Sequence, residues 1–224
     1  MTRPDSRLGT VVIVLVLLPV CGVGSRKTLK RLHTERKAAM ASATLTIGSE
    51  MPWFESLPGV DGKTFGAKEF AGNVALVVVF SCNHCPYVQA YEDRMIAFQS
   101  AYGPKGVQLI AINSNETVHF PDDNFDAMVE RANRKGFNFP YLRDEDQKVA
   151  GAFGATHTPE FFLFAPAPGD PSIRLRYHGK MDDNYQKPDA VKRTYLKEAV
   201  DAVLAGKAVA EPETHSIGCT IKWR

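Results

Sequence analysis

The stretch Ala75-Leu-Val-Val-Val-Phe-Ser-Cys-Asn-His-Cys-Pro86 decides the fold. Its first six residues are apolar without a break and rich in β-branched side chains, the pattern of a strand buried on both faces of a largely parallel sheet. Such a strand delivers the chain directly to Cys82. Beyond it, Val88, Tyr91, Met95, Phe98 and Tyr102 recur at intervals of three and four, so the sequence predicts a helix from His84 to Tyr102, closed by Gly103-Pro104.

Working outward, Val107 to Ile112 reads as a second strand, and Asp122/Asp123 as the cap of a helix from about Asn124 to Lys135. A short helix near Gln147 to Phe153 is followed by strands at Phe161 to Phe164 and Ile173 to Tyr177, then by a helix over Asp189 to Ala205. Upstream, Trp53 to Leu57 and Lys63 to Phe65 read as a hairpin around Asp61-Gly62. The order β-α-β-α-β-β-α, with right-handed crossovers, predicts one α/β sandwich with an N-terminal β-hairpin extension.

Thiol exchange needs a thiolate, and an unperturbed cysteine with pKa near ~8.5 supplies only a few per cent of it at neutral pH. On this pattern Cys82 leaves a buried strand and opens a helix, where unpaired N–H groups and the helix dipole favour its charged form. Cys85, three residues on, is within reach to close a small disulfide ring. His84 between them is placed to stabilise the thiolate further and make the couple more oxidising. Pro86 falls in the first helical turn, where a missing N–H costs little.

Together with Thr158-Pro159 ahead of the strand at Phe161, these residues resemble the thioredoxin superfamily over roughly Ile47 to Leu204. Ile47-Gly48, Pro52-x-Phe54 and Asp61-Gly62-Lys63 are similar to its redoxin branch, which includes peroxiredoxin-like proteins (AhpC/TSA-like). Ser81 to Val88, Thr156 to Phe164 and Ser216 to Trp223 resemble a bacterial group of thioredoxin-family proteins within that branch. The resemblance implies the thioredoxin fold, a three-layer α/β/α sandwich with a mixed central sheet. It also implies that Pro159 is cis and that the Thr158 backbone pairs with an incoming substrate segment facing the active disulfide.

The implied activity is thiol-disulfide exchange: Cys82 attacks a partner disulfide, a mixed disulfide forms, and Cys85 resolves it, or the sequence runs in reverse. The implied partner is a protein or small-molecule thiol or disulfide, and no cofactor is expected. Two departures bear on this. Val79 stands where peroxiredoxins place Thr or Ser, which argues against peroxide reduction, and Ser81 with Asn83-His84 replaces the Trp and Gly-Pro of thioredoxins. The direction of exchange therefore stays open.

The four cysteines, Cys21, Cys82, Cys85 and Cys219, are too few and too scattered for a disulfide scaffold. A structural zinc would need a second Cys pair that the chain lacks, so no structural metal is expected. A Cu(I) carrier using Cys82 and Cys85 with His84, His157 or Cys219, and a thiol peroxidase, are the alternative functions. His157 either donates protons near the disulfide or caps backbone groups. Cys219 lies in a tail, 207–224, whose Ile217, Ile221 and Trp223 suggest docking; beside the active pair it would be a third redox cysteine, and elsewhere a buried small side chain.

Residues 1–39 hold eight Lys/Arg against two acids, which leaves the body, from Met40, at about −4 although the whole chain carries +2. A mildly acidic body without a phosphate-cradling loop argues against nucleic-acid partners. The leader contains an apolar run over Val11 to Val20 and reads as a signal, an anchor or a mis-assigned start ahead of the domain at 40–206. Its basic downstream flank points to a cytoplasmic domain, with a membrane as partner only if the leader is retained.

Overall fold

The computed structural model describes residues 45–167 and 169–224. The leader, with Cys21 and the alternative start at Met40, lies outside the described residues. In chain order the elements are β1 (Leu57–Pro58), β2 (Thr64–Phe65), β3 (Ala75–Phe80), α1 (Pro86–Tyr102), β4 (Val107–Asn113), α2 (Phe125–Lys135) and β5 (Tyr141–Arg143). They continue with α3 (Lys148–Phe153), β6 (His157–Thr158), β7 (Glu160–Ala167), β8 (Asp170–Gly179), α4 (Tyr195–Leu204) and β9 (Cys219–Thr220).

All six residues of β3 are buried, because it is the middle strand of a five-stranded sheet ordered β5-β4-β3-β7-β8. It pairs parallel with β4 and antiparallel with β7, so that Val79 lies between Ala111 and Phe161. The sheet is therefore mixed, as the thioredoxin fold requires. Alternate side chains leave β3 on opposite faces. Ala75, Val77 and Val79 pack against α1, α2 and α4 through Met95, Met128 and Leu196. Leu76, Val78 and Phe80 pack against α3 and the β1–β2 hairpin through Phe153 and Leu57. Phe80 meets Phe153 edge-on with ring centres 5.3 Å apart. Each such side chain contributes about 1.5–3 kcal/mol when fully buried.

Several elements differ from their sequence expectation. The helix after the cysteines begins at Pro86 rather than His84, so Cys85 is its N-cap and Cys82 stands ahead of it. Asn124, not Asp122 or Asp123, caps α2: its side chain accepts the Ala127 N–H at 2.8 Å. The last helix starts at Tyr195, and Pro188–Ala190 before it is a separate 3-10 turn. A parallel edge strand, β5, appears next to β4 with no counterpart in the sequence reading. Among the described residues no helix is long and apolar enough to cross a membrane.

The C-terminal tail is hydrogen-bonded into the domain. Thr214 N–H donates to His178 O, and this approach needs Gly179 (φ +146°), where any Cβ would strike Thr214. Further on, Ile221 N–H donates to Thr156 O at 2.9 Å and Glu116 N–H to Lys222 O at 2.8 Å. Ile221 is buried as its apolar character suggests, whereas Ile217 and Trp223 are each 47% exposed and do not dock.

Candidate active site

The loop between β3 and α1 is held at both ends and in its middle. Ser81 N–H donates to Ile112 O at 2.8 Å, and Gln89 N–H donates to Cys85 O at 3.0 Å as the first turn of α1. Asn83, which is buried, satisfies all its polar atoms: its amide donates to Asp122 O, its side-chain oxygen accepts from Tyr141 Oη, and its carbonyl accepts from Gln89 Nε2. Burial, then the charges of Cys82 and Asp123, push the Tyr141 hydroxyl well above its ordinary range, so it stays a donor.

Asp123 is the residue that the sequence reading misplaced. Read there as a helix cap, it is fully buried and turned toward the cysteine loop. Its carboxylate accepts the Asn83 N–H at 2.6 Å, His84 Nδ1 at 2.6 Å and Asn115 Nδ2 at 2.7 Å. Because a carboxylate only accepts, His84 carries a proton on Nδ1 in this pair. The imidazole also stacks on Phe120, with centres 5.6 Å apart. His84 is thus oriented by Asp123, and no signal within the motif could have shown that partner.

Cys82, Cys85 and Cys219 are free thiols. Cys82 Sγ lies 3.4 Å from Thr158 Oγ1, Cys85 Sγ donates to Thr158 O at 3.2 Å, and Cys85 Sγ lies 2.8 Å from Cys219 Sγ. The first two sulfurs are buried, and the third is partly exposed. Neighbouring hydrogen-bond donors act on Cys85. The Cys82 thiol, the Cys219 thiol and the N–H groups of Val88 and Cys219 lower its pKa against the opposing effect of burial. Cys82 is shifted upward, first by donating to Cys85, then by burial and the nearby Asp123 carboxylate. The expectation that Cys82 opens the helix is corrected: Cys85 holds the N-cap position, without a side-chain cap hydrogen bond, and Cys82 stands ahead of it.

The Thr158–Pro159 peptide bond is cis. Glu160 braces the preceding turn by accepting the N–H groups of Thr156 at 2.7 Å and His157 at 2.8 Å, and His178 Nε2 at 2.6 Å. Burial pushes its carboxyl up, and these hydrogen bonds outweigh it and hold the carboxyl below the ordinary range. The backbone edge of Thr158, the expected docking place of a substrate segment, is taken by the chain's own tail: β6 pairs antiparallel with β9, Thr158 opposite Cys219.

His157 does not join the thiols; its Nδ1 meets Thr156 Oγ1 at 2.8 Å and its ring faces His215. Cys82, His84 and Asp123 bring one ligand atom each within 4.8 Å of one another. Two of those atoms, from His84 and Asp123, already share a hydrogen bond.

Residues 46–167 match the family model described as Redoxin. Among curated proteins, the thiol-disulfide oxidoreductase ResA of Bacillus anthracis is 28% identical over 122 residues, 53% of this chain and 64% of that protein. The match thus spans just under two thirds of the relative's length. Among solved structures, a hypothetical protein from Sinorhizobium meliloti 1021 is 38% identical with a TM-score of 0.74, covering 81% of this chain and 97% of that one. A putative thioredoxin from Neisseria meningitidis, 21% identical with a TM-score of 0.51 over 73% of this chain and 95% of that one, shares the fold.

Proposed function

The chain belongs to the redoxin family, and from that premise we propose that it is a thiol-disulfide oxidoreductase cycling Cys82 and Cys85 between dithiol and disulfide. The placement of both thiols against Thr158, one of them capping α1, supports this reading above all. Relatives described as thiol-disulfide oxidoreductases support a thiol or disulfide partner, protein or small molecule.

In the reductive direction a thiolate of the pair attacks one sulfur of the partner disulfide, and the partner's other sulfur leaves as a thiol. The second cysteine then attacks the mixed disulfide, closing Cys82–Cys85 and releasing the partner as a dithiol. Oxidation of a partner dithiol is the same path reversed. Val79, buried in β3, still offers no hydroxyl for peroxide chemistry beside Cys82.

The test is turnover of a small aromatic disulfide and of insulin with a dithiol as electron source. Wild-type protein should turn over both, and Cys82→Ser and Cys85→Ser should each fall to the uncatalysed rate. Stoichiometric Cu(I) binding without turnover would replace this reading with the metal carrier, and consumption of an organic hydroperoxide without disulfide turnover would replace it with the peroxidase.

A further inference from the structure

Cys219 is 134 residues from Cys85 in sequence, yet the two sulfurs are 2.8 Å apart. A disulfide bond measures about 2.05 Å, so less than about 1 Å of movement separates the two thiols from a covalent link. The proximity is built by the backbone. β9 pairs with β6 so that Cys219 faces Thr158, whose carbonyl oxygen is also 3.2 Å from Cys85 Sγ. The preceding residue has to be glycine for this: a Cβ on Gly218 would collide with that same carbonyl. Beyond Cys219, the tail is fixed by buried Ile221 and by the Lys222 backbone, whose N–H donates to Asn115 Oδ1 and whose carbonyl accepts from Gln147 Nε2. The sulfurs form a chain from surface to interior: Cys219 is partly exposed, while Cys85 and Cys82 are buried behind it.

We propose that Cys219 is a third redox cysteine, which trades a disulfide with the Cys82–Cys85 couple through Cys85 and so connects that buried couple to the partner outside. This rests on the reading of Cys82 and Cys85 as an exchange couple. Starting from the Cys82–Cys85 disulfide, the Cys219 thiolate attacks Cys85 Sγ. The Cys85–Cys219 bond forms as the Cys82–Cys85 bond breaks, and Cys82 leaves as a thiolate that takes up the proton Cys219 gave. No electrons are gained or lost; the disulfide has moved outward.

A partner dithiol then attacks Cys219, Cys85 leaves as a thiolate, and the partner's second sulfur displaces Cys219. The partner ends as a disulfide and the protein as three thiols, its two electrons having come from the partner. Run backward, the same steps reduce a partner disulfide. Burial, followed by the hydrogen bond to Cys85, pushes the Cys219 thiol up to about 11.

The test uses the full chain with Cys21→Ser throughout, so that only the three sulfurs at the site are counted. Cys82→Ser and Cys219→Ser proteins are equilibrated in graded dithiol/disulfide buffers, alkylated and weighed intact, with the cross-linked peptides then mapped. Cys82→Ala is run alongside, and thermal melts of all three confirm that each is folded. The expected result is complete loss of both alkylation sites in the two Cys82 variants, with a Cys85–Cys219 cross-link, and a Cys82–Cys85 cross-link in Cys219→Ser. If the folded Cys82 variants keep two alkylated thiols in buffers that close Cys82–Cys85 in Cys219→Ser, the third-cysteine proposal is overturned and the exchange couple stands. If Cys219→Ser closes nothing either, the exchange couple falls and this proposal with it.

Discussion

The cysteine loop at Cys82 to Cys85 and the tail at Cys219 meet at Thr158 from opposite ends of the chain, and they are held there by different means. The loop is anchored by buried side-chain polar groups: Asp123 accepts two of its strong hydrogen bonds, from the Asn83 N–H and His84, besides one from Asn115, and the Asn83 amide donates to Asp122 O. The tail is laid on mainly by backbone pairing and one buried apolar side chain, with the Asn115 and Gln147 side chains holding the Lys222 backbone, while its flanking Ile217 and Trp223 stay in solvent. A buried polar anchor fails at high cost when one partner is removed. A strip of edge pairing opens locally at much lower cost. The loop is therefore the fixed part of the site and the tail the part that can lift.

The largest expected effect tests the fixed half. Asp123→Ala leaves the Asn83 N–H, the Asn115 amide and the His84 ring without their buried acceptor, and the protein should lose about 3–5 kcal/mol of unfolding free energy in urea titrations. A loss below about 1 kcal/mol would mean that the loop does not depend on this anchor, and the contrast with the tail would disappear. A smaller effect tests the movable half. Gly218→Ala forces a Cβ against Thr158 O and should weaken tail docking by about 1–3 kcal/mol. Alkylation of Cys219 should then accelerate roughly 5- to 100-fold while the global unfolding midpoint stays close to wild type. A large drop in global stability without faster alkylation would show that the tail is as integral as the loop.

This division also explains what could be read from the sequence. β3, α1 and the Cys-x-x-Cys pair announce themselves through a continuous apolar run and a three-four periodicity, signals that are local. β5 escaped because it has only three residues, Tyr141 to the charged Arg143, between Pro140 and Asp144, too short for any period to register. Asp123 lies 39 residues from His84, and as an acid just ahead of a helical pattern it looked like a cap; only the fold, by bringing β4's end next to the cysteine loop, shows its real partners. The tail's apolar residues signalled docking, but sequence alone could say neither where, nor that Ile221 alone of the three would be buried. The His157 ring bonds the Thr156 hydroxyl rather than a backbone group, a local partner that neither of its two readings named.

The central claim is that Cys82 and Cys85 form a two-electron couple, and the most direct measurement is the redox equilibrium of the full chain carrying Cys21→Ser and Cys219→Ser. Free thiols are alkylated and the intact protein weighed across dithiol/disulfide buffers of known potential. The account predicts that Cys82 and Cys85 lose their alkyl groups together in one transition. A midpoint near about −270 mV would make the protein a reductant and one near about −120 mV an oxidant of its partner. Two thiols that remain alkylated at every potential would contradict the account.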